Sequence, residues 1–486
     1  MDNFRIFVKD RWRVYAGNYC ALAKTCRNSA VSAALSIFET GDSQRPDYAR
    51  YPSALDPCIS QPFGVSKITV ELAYQQLLAE GYVESRERSG YFSVELAAEL
   101  LDRRATDRPS LRNKKQEAPT QPILYDFKLS TLDPAQFPLT VWRKLSQRSM
   151  NDPSLYSYGD PQGEAGLREE LADYLRHARG VNCTAEQIVI GAGTQTLFSM
   201  LCQMLTVLGL KQIGFEQPGY QAVQFVSKHL GLQNIPIELD EEGLDVQQLW
   251  QSGVRAAYIT PSHQYPTGIV MPIARRLKLL QWAEAVDGFI VEDDYDGEFR
   301  YRGKPVPSLQ GLDRQGRHVV YIGTFSKVLL PGIRVGYMVL PPPLLNLYRT
   351  QLIHYEQTAS RFHQRTLQLF MQEGEWERHI RRLRMVYQKK HARLLEALKT
   401  VMDARVKIVG QDAGLHLGIE VDSEQSAAEL VRLALEQGVR VYDALAFSTG
   451  SAGRVNRILL GFAGMELSEI EPAVRRLHQA WQGVYR

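Results

Sequence analysis

Cysteines and long apolar runs are both scarce in this sequence. Its 486 residues include five cysteines, an odd number without the spacing of a metal site, at Cys20, Cys26, Cys58, Cys183 and Cys202. A disulfide framework is therefore not expected, and a reducing cytoplasm is the predicted location. No apolar run reaches the roughly 20 residues that a membrane-spanning helix needs, so no membrane contact is expected. Charged residues are scattered through residues 1–19, which argues against a signal peptide.

A strong net charge is also missing. Lysine and arginine total 57 while aspartate and glutamate total 54, which gives a net charge of +3 at pH 7. Any affinity for nucleic acid must therefore come from a local basic patch rather than from the whole surface. The chain is too long for one ordinary domain, and its hydrophobic fraction of 44% predicts two or three folded domains with full cores.

What the sequence does contain is one lysine in a tightly turned loop. Ser326 and Lys327 end a strand-like run, Pro331 and Gly332 follow, and Arg334 stands a little further on. A lysine forms a Schiff base only when its amine loses its proton, which burial and neighbouring cations favour. An arginine can clamp a phosphate with two hydrogen bonds. These residues predict a site for pyridoxal 5'-phosphate, with a solvated loop as the alternative.

Two further runs would complete such a site. Gly193, Thr194 and Gln195 follow a strand-like run and open a helical one, so their backbone N–H groups can receive a phosphate. Asp293 ends another strand-like run, where its carboxylate can keep a pyridine nitrogen protonated. Tyr295 would reach the phenolic oxygen of the cofactor. The acidic residues around Asp293 could instead be solvated or bind a metal, but no matching histidine cluster accompanies them in the sequence, so we predict no metal.

From residue 123 onward, helical and strand patterns alternate. The helical runs are 167–176, 194–208 and 375–398, and the strand-like runs are 187–190, 254–259, 288–291 and 319–322. This alternation predicts an α/β domain with a mostly parallel central sheet and helices on both faces. Such sheets bind their ligands in a crevice at the carboxyl ends of the strands.

The N-terminal part carries a different pattern. Residues 66–80 have the apolar periodicity of an amphipathic helix, and Gly81 ends it. Two short β-type runs, 82–86 and 89–94, follow with a charged turn between them. A helix followed by a basic hairpin is the layout of a winged helix-turn-helix, which places the helix in the major groove of DNA, although any small α/β unit can end in a hairpin. Residues 101–121 are polar and charged, and they predict a flexible linker.

Residues 64–70, 73–82 and 85–92 resemble the recognition helix and wing of the GntR family of bacterial transcription regulators. The resemblance implies a small α/β winged helix-turn-helix that binds double-stranded DNA. It also implies that six residues lie at the DNA, namely Ser66, Lys67, Thr69, Arg86, Arg88 and Gly90. Two features depart from the family: its first two helices are not legible in residues 1–62, and Leu72 stands where the family usually has arginine.

From about Tyr125 to the C-terminus, the chain resembles fold-type I pyridoxal-phosphate enzymes, the aminotransferase class. The matching runs are 158–163, 266–268, 324–327, 331–336 and 457–462. The resemblance implies a homodimer in which Tyr158 reaches the phosphate of the neighbouring subunit's cofactor, and it places Thr324 in the cofactor site. Tyr220 would stack on the pyridine ring. Arg457 would bind the carboxylate of an amino acid, with an ordinary ion pair as the alternative.

The run 263–268, His-Gln-Tyr-Pro-Thr-Gly, departs from the aminotransferase pattern, because Tyr265 replaces the usual asparagine. This variant, in a chain that also carries a winged helix, resembles the MocR subfamily of GntR regulators. The implied domains are a GntR-type winged helix at 1–98, a linker at 99–122 and an aminotransferase-like effector domain at 123–486.

The implied function is that of a transcriptional regulator with pyridoxal 5'-phosphate bound to Lys327 as a Schiff base. It would bind its operator as a homodimer and would sense an amino compound or the cofactor itself. The alternative is an active aminotransferase with a vestigial DNA-binding segment. Some regulators of this type that respond to an ω-amino acid have an arginine where this chain has Ala222, so a close copy of that ligand pocket is not expected.

Overall fold

The computed structural model describes residues 50–51, 75, 78–79, 83–86, 90–93, 122–303, 306–447 and 457–486. The chain divides into two units, Met1–Ala118 and Pro119–Arg486. Among the described residues, no helix combines the length and the apolar character that crossing a membrane requires.

The described strands of the first unit form an antiparallel sheet. Strand β1 (Arg50–Tyr51) pairs with β3 (Gly90–Ser93), and β3 also pairs with β2 (Val83–Arg86), which gives the order β1-β3-β2. The pairing of β2 with β3 confirms the predicted hairpin. Arg86 and Gly90, two of the predicted DNA contacts, lie opposite each other across this hairpin.

Most of the predicted recognition helix lies outside the described residues. Its described positions, Gln75, Leu78 and Ala79, are all helical. The predicted DNA contacts that lie outside the described residues are Ser66, Lys67, Thr69 and Arg88. The assignment of these four positions to DNA remains a prediction, as does that of Arg86 and Gly90.

The second unit alternates strands and helices along most of its length. Its strands are β4 (Tyr125–Asp126), β5 (Ile188–Gly191), β6 (Gln212–Gln217), β7 (Gln233–Asp240), β8 (Gly243–Leu244), β9 (Ala256–Ile259), β10 (Phe289–Asp294), β11 (Val319–Thr324), β12 (Gly336–Val339), β13 (Val406–Val409), β14 (His416–Val421), β15 (Val439–Arg440), β16 (Tyr442–Asp443) and β17 (Arg457–Gly461). Its helices are α1 (Leu139–Met150), α2 (Ala165–Arg179), α3 (Thr194–Val207), α4 (Gln221–His229), α5 (Val246–Gln251), α6 (Ile273–Ala285), α7 (Leu309–Leu312), α8 (Pro342–Leu347), α9 (Arg361–Gln372), α10 (Glu375–Val401), α11 (Ala427–Glu436) and α12 (Ile470–Trp481).

An eight-stranded sheet forms the centre of the second unit. Its strand order is β5-β12-β11-β10-β9-β6-β7-β8. The neighbours from β11 to β7 pair in parallel, whereas β12 is antiparallel to both of its neighbours and β8 is antiparallel to β7. The mostly parallel sheet confirms the predicted α/β architecture. The predicted strand ends were less accurate, since β10 continues to Asp294 and not only to residue 291.

Both faces of this sheet are buried. Consecutive residues of a strand point to opposite faces, and they belong to different apolar clusters. In β5, Val189 belongs to one buried apolar cluster, while Ile188 and Ile190 belong to another. In β10, Ile290 and Val291 divide between two clusters in the same way. All residues of β9, which pairs in parallel with strands on both sides, are buried, and this explains its continuous apolar sequence.

A smaller antiparallel sheet, with the order β13-β14-β17-β16, lies in the C-terminal part of the second unit. Strand β4, near the start of this unit, pairs in parallel with β15, and the register joins Tyr125 to Val439. Helix α10 packs against α12, and the fully buried Trp376 and Trp481 belong to the same apolar cluster. The start of the second unit is therefore held against its C-terminal part.

A buried ion pair fixes the segment between β4 and α1. Lys390 Nζ, on α10, lies 2.9 Å from Asp133 Oδ2 and 3.0 Å from the carbonyl oxygen of Ala463. Burial alone would raise the pKa of Asp133, but the hydrogen bonds from Lys390 and Gln136 lower it below its ordinary value. The lysine therefore keeps this buried carboxylate ionised.

We expect Lys390→Met to lower the free energy of unfolding by about 3 to 5 kcal/mol, because it leaves a buried carboxylate without its partner charge. Urea unfolding followed by tryptophan fluorescence measures the change. Lys390→Met combined with Asp133→Asn should lose less, since the double variant buries no unpaired charge. Lys399→Met, at an exposed position of the same helix, is the control and should leave the stability nearly unchanged. Equal losses in the two single lysine variants would contradict the role of the ion pair.

Candidate cofactor site

A cavity of about 360 Å³ opens at the carboxyl ends of the central parallel strands. Thr260 follows β9, Asp293 lies near the end of β10, and Thr324 ends β11. The residues that line the cavity are Leu129, Ser130, Thr194, Gln195, Tyr220, Thr260, Tyr265, Asp293, Tyr295, Thr324, Ser326, Lys327, Pro331 and Arg334. The crevice therefore lies where a parallel sheet predicts it, and it brings together most of the predicted cofactor residues.

Lys327 lies in a short 3-10 turn, Phe325–Lys327, that begins where β11 ends. The hydroxyl of Thr324 caps this turn. The lysine Nζ donates a hydrogen bond to the carbonyl oxygen of Leu129 at 2.9 Å. Burial lowers the pKa of Lys327, while the charge of Asp296 opposes the shift. A lowered pKa leaves more of the amine unprotonated, which is the form that attacks an aldehyde.

Arg334, Gly193 and the start of α3 lie together and could bind an anion. The Arg334 guanidinium donates through Nη2 to the carbonyl oxygen of Ala192 at 2.7 Å. Gly193 has a φ of 101°, and a Cβ built on it would lie 3.0 Å from Arg334 Nη2. Glycine permits this close approach at a positive φ. Thr194 and Gln195 begin α3, and the first N–H groups of a helix have no partners within the helix and favour an anion.

Asp293 lines the cavity, and one of its carboxylate oxygens accepts no hydrogen bond from the described residues. Its Oδ2 accepts a hydrogen bond from the Tyr258 hydroxyl, whereas Oδ1 is buried and has no partner among the described residues. Burial raises the pKa of Asp293 to about 7; the bond from Tyr258 opposes this shift, and the nearby Asp294, Asp296 and Glu216 add to it. A protonated ring nitrogen at Oδ1 would supply the missing donor and favour the ionised carboxylate.

Three tyrosines form one wall of the cavity. The ring centroids of Tyr220 and Tyr265 are 5.7 Å apart at 79°, and those of Tyr265 and Tyr295 are 5.9 Å apart at 88°. These edge-to-face contacts stabilise the wall. Burial raises the pKa of Tyr295 well above its ordinary value, and the nearby Asp296 adds to the shift. The Tyr295 phenol therefore keeps its proton and can donate it in a hydrogen bond.

Behind Tyr295 lies a buried polar cluster that the sequence did not predict. His263 Nδ1 is 2.9 Å from Asp296 Oδ2 and 3.0 Å from the hydroxyl oxygen of Tyr295. The ring centroids of His263 and His416 are 4.6 Å apart, and these two histidines lie close enough to Asp296 to hold one metal ion together with it. The expectation that no histidine cluster accompanies the acidic run was therefore wrong, because the fold brings distant positions to Asp296.

Hydrogen bonds engage only some of the polar atoms of this cluster, because His263 Nε2 and Asp296 Oδ1 are buried without a partner among the described residues. His263 Nδ1 is shared by Asp296 and Tyr295, and His416 Nε2 lies 3.1 Å from the carbonyl oxygen of Pro266. The absence of a metal from this site remains a prediction.

Gln264 holds the turn that carries Tyr265. Its Nε2 donates to the carbonyl oxygens of Pro218 at 3.0 Å and of Tyr265 at 2.7 Å. Its Oε1 accepts hydrogen bonds from the backbone N–H of Thr267 at 3.0 Å and from the Thr267 hydroxyl at 2.6 Å. Both polar atoms of the Gln264 amide therefore have hydrogen-bond partners within the protein and are not available to a bound cofactor. Its role is to place Tyr265 in the cavity wall.

Three residues predicted for this site are not among those that line the cavity, namely Gly193, Tyr158 and Arg457. Gly193 adjoins the lining residue Arg334. Tyr158 is 87% exposed, so its ring is open to a second subunit, and its predicted contact with a neighbouring cofactor remains a prediction. Arg457 begins β17 and pairs with Glu420 at 2.5 Å, its register partner on β14. An ordinary ion pair was the alternative to the predicted binding of an amino-acid carboxylate by Arg457. That predicted binding remains a prediction.

Sequence reasoning missed some of the lining residues. Thr260 could have been found, because it directly follows a buried parallel strand, where ligand-binding residues collect. Leu129 and Ser130 come from the segment between β4 and α1, and no local pattern marks them. The hydrogen bond from Lys327 to Leu129 depends on the tertiary fold alone.

These residues fit pyridoxal phosphate. Asp293 Oδ1 lacks the donor that a protonated ring nitrogen provides. Gly193 and Arg334 form a cradle that an added Cβ would fill. Lys327 supplies an amine of lowered pKa in the same cavity. The donor set matches a phosphorylated pyridine aldehyde at the ring nitrogen, the phosphate and the aldehyde.

Comparison with known proteins agrees with this fit. The family model "Aminotransferase class I and II" matches residues 126–477. YdeL, an uncharacterized HTH-type transcriptional regulator of Bacillus subtilis, is 40% identical over 427 residues, which cover 87% of this chain and 90% of that protein. The probable rhizopine catabolism regulatory protein MocR of Rhizobium meliloti is 32% identical over 435 residues, which cover 87% of this chain and 88% of that protein.

Among solved structures, the kynurenine aminotransferase of Pyrococcus horikoshii, in complex with PMP, superposes with a TM-score of 0.66 and 26% identity. The match covers 75% of this chain and 92% of the enzyme. The second unit therefore has the fold-type I aminotransferase fold, and its cofactor is pyridoxal phosphate.

We expect Gly193→Ala to weaken the binding of pyridoxal phosphate about 10- to 100-fold, because the added Cβ meets Arg334 at a positive φ that costs roughly 1 to 3 kcal/mol. Fluorescence titration of the cofactor-free protein measures the dissociation constant. Pyridoxal, which lacks the phosphate, should bind the variant and the wild type alike. Gly332→Ala is the matched control, since nothing lies within 4 Å of its Cβ, and it should bind like the wild type. Equal losses in the two variants would contradict the assigned phosphate cradle.

Proposed function

We propose a function for this chain from one premise: it belongs to the MocR-type transcriptional regulators, whose effector domain is of the aminotransferase class I and II family. The chain is a pyridoxal-phosphate-dependent, DNA-binding regulator of transcription. The observation that carries this function is the pairing, in one chain, of a cavity fitted to the cofactor with relatives that are HTH-type regulators over most of its length. The proposed domains are a winged helix at 1–98, a linker at 99–122 and an effector domain at 123–486.

The cofactor residues have separate proposed roles. The bound cofactor supplies an aldehyde that bonds reversibly to amines and a ring that withdraws electrons. Lys327 provides the amine that bonds to it, and Asp293 pairs with the ring nitrogen. Arg334 binds the phosphate together with Gly193, Thr194 and Gln195. Tyr220 packs on the ring, Tyr295 donates a hydrogen bond to the phenolic oxygen, and Thr324 fixes the turn of the lysine.

Leu129 is the proposed link between the cavity and the linker. A free Lys327 amine donates to the Leu129 carbonyl oxygen at 2.9 Å. If an amino compound occupied the aldehyde in place of Lys327, the lysine amine would be available to donate to the Leu129 carbonyl oxygen. The segment that carries Leu129 lies at the start of the second unit, shortly after the linker in sequence. This difference in contact is the differential interaction that a ligand needs in order to shift an equilibrium.

The proposed effector is an amino compound or the cofactor itself. Arg457 is the proposed anchor for an effector carboxylate. Its Nη2 donates to Glu420, but its Nε is buried without a partner among the described residues. A buried donor without an acceptor is costly, so a carboxylate at this position would stabilise the site.

The proposed assembly is a homodimer on double-stranded DNA. The exposed Tyr158 would reach the cofactor phosphate in the partner subunit. Two copies would present two winged helices to an operator, with the DNA contacted by Ser66, Lys67, Thr69, Arg86, Arg88 and Gly90. The similar regulators come from bacteria, which supports the cytoplasm as the proposed location.

An active aminotransferase is the second candidate function. Lys327, Asp293 and Arg334 are the residues that such an enzyme would use, and the second unit shares its fold with the kynurenine aminotransferase. Two observations favour the regulator: Tyr265 replaces the asparagine of aminotransferases, and the regulators align with 87% of the chain against 75% for the enzyme. Sustained transamination of an amino donor and a keto acid, with no binding to a promoter fragment, would favour the enzyme.

The protein loaded with pyridoxal phosphate should absorb near the edge of the visible range, and Lys327→Ala should lose this band, because Lys327 Nζ makes the covalent bond to the aldehyde. Borohydride reduction followed by peptide mass spectrometry should find the cofactor on Lys327. Lys211→Ala removes an exposed lysine and should leave both the band and the adduct unchanged. A band and an adduct that survive in Lys327→Ala would contradict the assignment.

Retardation of a promoter fragment should depend on an amino compound in the wild type but not in Lys327→Ala, which has no covalent bond to exchange. Gel retardation at low salt, where phosphate contacts are strongest, measures how DNA binding by each protein responds to the amine. Arg88→Ala is the complementary variant, and it should weaken retardation and reduce the salt slope by about 1 without changing the absorption band. An equal response of the wild type and Lys327→Ala to the amine would contradict sensing through this lysine.

A further inference from the structure

We infer that His263 is a positioning residue, which holds the hydroxyl group of Tyr295 so that its proton points into the cavity. The inference rests on the proposed function, because the cavity is the cofactor site and the proton is directed at the phenolic oxygen of the cofactor. The inference assigns a role to His263, which is the first residue of the run His-Gln-Tyr-Pro-Thr-Gly (263–268).

His263, Asp296 and Tyr295 form one hydrogen-bonded group. His263 Nδ1 lies 2.9 Å from Asp296 Oδ2 and 3.0 Å from the Tyr295 hydroxyl oxygen. The side chains of His263 and Asp296 are 0% and 2% exposed, and of the three residues only Tyr295 lines the cavity. His263 can therefore act on a bound molecule only through another residue, and Tyr295 is the lining residue to which it is hydrogen-bonded.

The hydrogen-bonding capacities of the three groups fix the position of each proton. An ionised carboxylate only accepts hydrogen bonds, so the Nδ1 atom that faces Asp296 carries a hydrogen. A protonated Nδ1 has no lone pair, so the Tyr295 oxygen can accept from it but cannot donate to it. The opposite tautomer would put the hydrogen on Nε2, which is buried and has no acceptor among the described residues. Tyr295 therefore keeps its own proton for a different partner.

The cavity is the direction left for the Tyr295 proton. Among the described residues, the Tyr295 hydroxyl has no hydrogen-bond partner other than His263. The ring is fixed edge to face against Tyr265, with centroids 5.9 Å apart, and it lines the same cavity as Lys327. An acceptor bound in the cavity beside Lys327 would thus meet a hydroxyl group whose proton is already directed.

The surroundings hold the imidazole ring of His263 in one place. A Cβ on Gly414, which has a φ of 76°, would lie 1.9 Å from the imidazole ring, so a glycine is required there for the ring to fit. Burial lowers the pKa of His416 well below its ordinary value. His416 is therefore neutral, with Nε2 donating to the carbonyl oxygen of Pro266 at 3.1 Å.

Removing the N–H of His263 would let the Tyr295 hydroxyl rotate. A phenolic oxygen of the cofactor that loses this donor holds its proton more tightly, so its pKa rises. Other titratable groups also face Tyr295 or its neighbours: they are Glu216, Tyr265, Asp293, Asp296, Lys327 and His416. None of these groups is changed in the single variants of His263. A difference in midpoint between those variants therefore reports the substitution at His263.

The test is a pH titration of the visible absorption band of protein loaded with pyridoxal phosphate. His263→Ala should raise the midpoint of the titration by about 0.5 to 1 pH unit. His263→Asn should restore most of the wild-type midpoint, because its amide nitrogen takes the position of Nδ1 and donates to the same oxygen. His263→Gln places its amide nitrogen near Nε2 and should behave like the alanine variant.

A double-mutant cycle with Tyr295→Phe separates positioning from a general loss of structure. In the Tyr295→Phe background, His263→Ala should cause no further shift of the midpoint. The thermal midpoint of the cofactor-free protein serves as the measure of folding for each variant. An unchanged titration in a folded His263→Ala protein, or an undiminished shift in the Tyr295→Phe background, would overturn the inference. Absence of the band from the wild type would instead overturn the proposed function on which it rests.

Discussion

The burial of one amine and one carboxyl group in the same cavity is the constraint on which the site depends. Burial lowers the pKa of Lys327 and raises the pKa of Asp293 to about 7, so it moves both groups toward their uncharged forms. Pyridoxal phosphate supplies a partner for each group, an aldehyde for the amine and a protonated ring nitrogen for the carboxylate. The desolvation that would otherwise be unfavourable therefore becomes a source of selectivity for this cofactor.

The pleat of β10 determines which acid faces the cofactor. Three consecutive acidic residues have three different surroundings: Glu292 is 3.6 Å from Arg276, Asp294 accepts a hydrogen bond from Arg179 at 2.6 Å, and Asp293 lines the cavity. A one-residue slip of this strand would bring an acid already committed to an arginine into the site. Parallel pairing with β9 and β11 on both sides prevents the slip, so the register of the sheet is also what positions the carboxylate.

Local patterns in the sequence were sufficient for part of the site and insufficient for the rest. Lys327 and Asp293 stand at or just after the ends of buried strands, and such ends can be recognised from a run of apolar residues followed by polar ones. The cluster around His263 could not be recognised, because His416 lies far away in sequence and on the smaller sheet. The pairing of Arg457 with Glu420 likewise follows from strand register, which single-strand patterns do not contain.

A regulator and an aminotransferase make opposite demands on the lysine that is freed when an amine takes its place. An enzyme needs the freed amine to move protons at the substrate in every turnover, whereas a sensor needs a freed state that is stable enough to be read. The carbonyl oxygen of Leu129, 2.9 Å from Lys327 Nζ, offers the amine a partner outside the cofactor. This contact would stabilise a lysine amine that is not bonded to the cofactor, and it joins Lys327 to the segment between β4 and α1. A lysine with such an alternative partner is better suited to switching between two states than to rapid turnover.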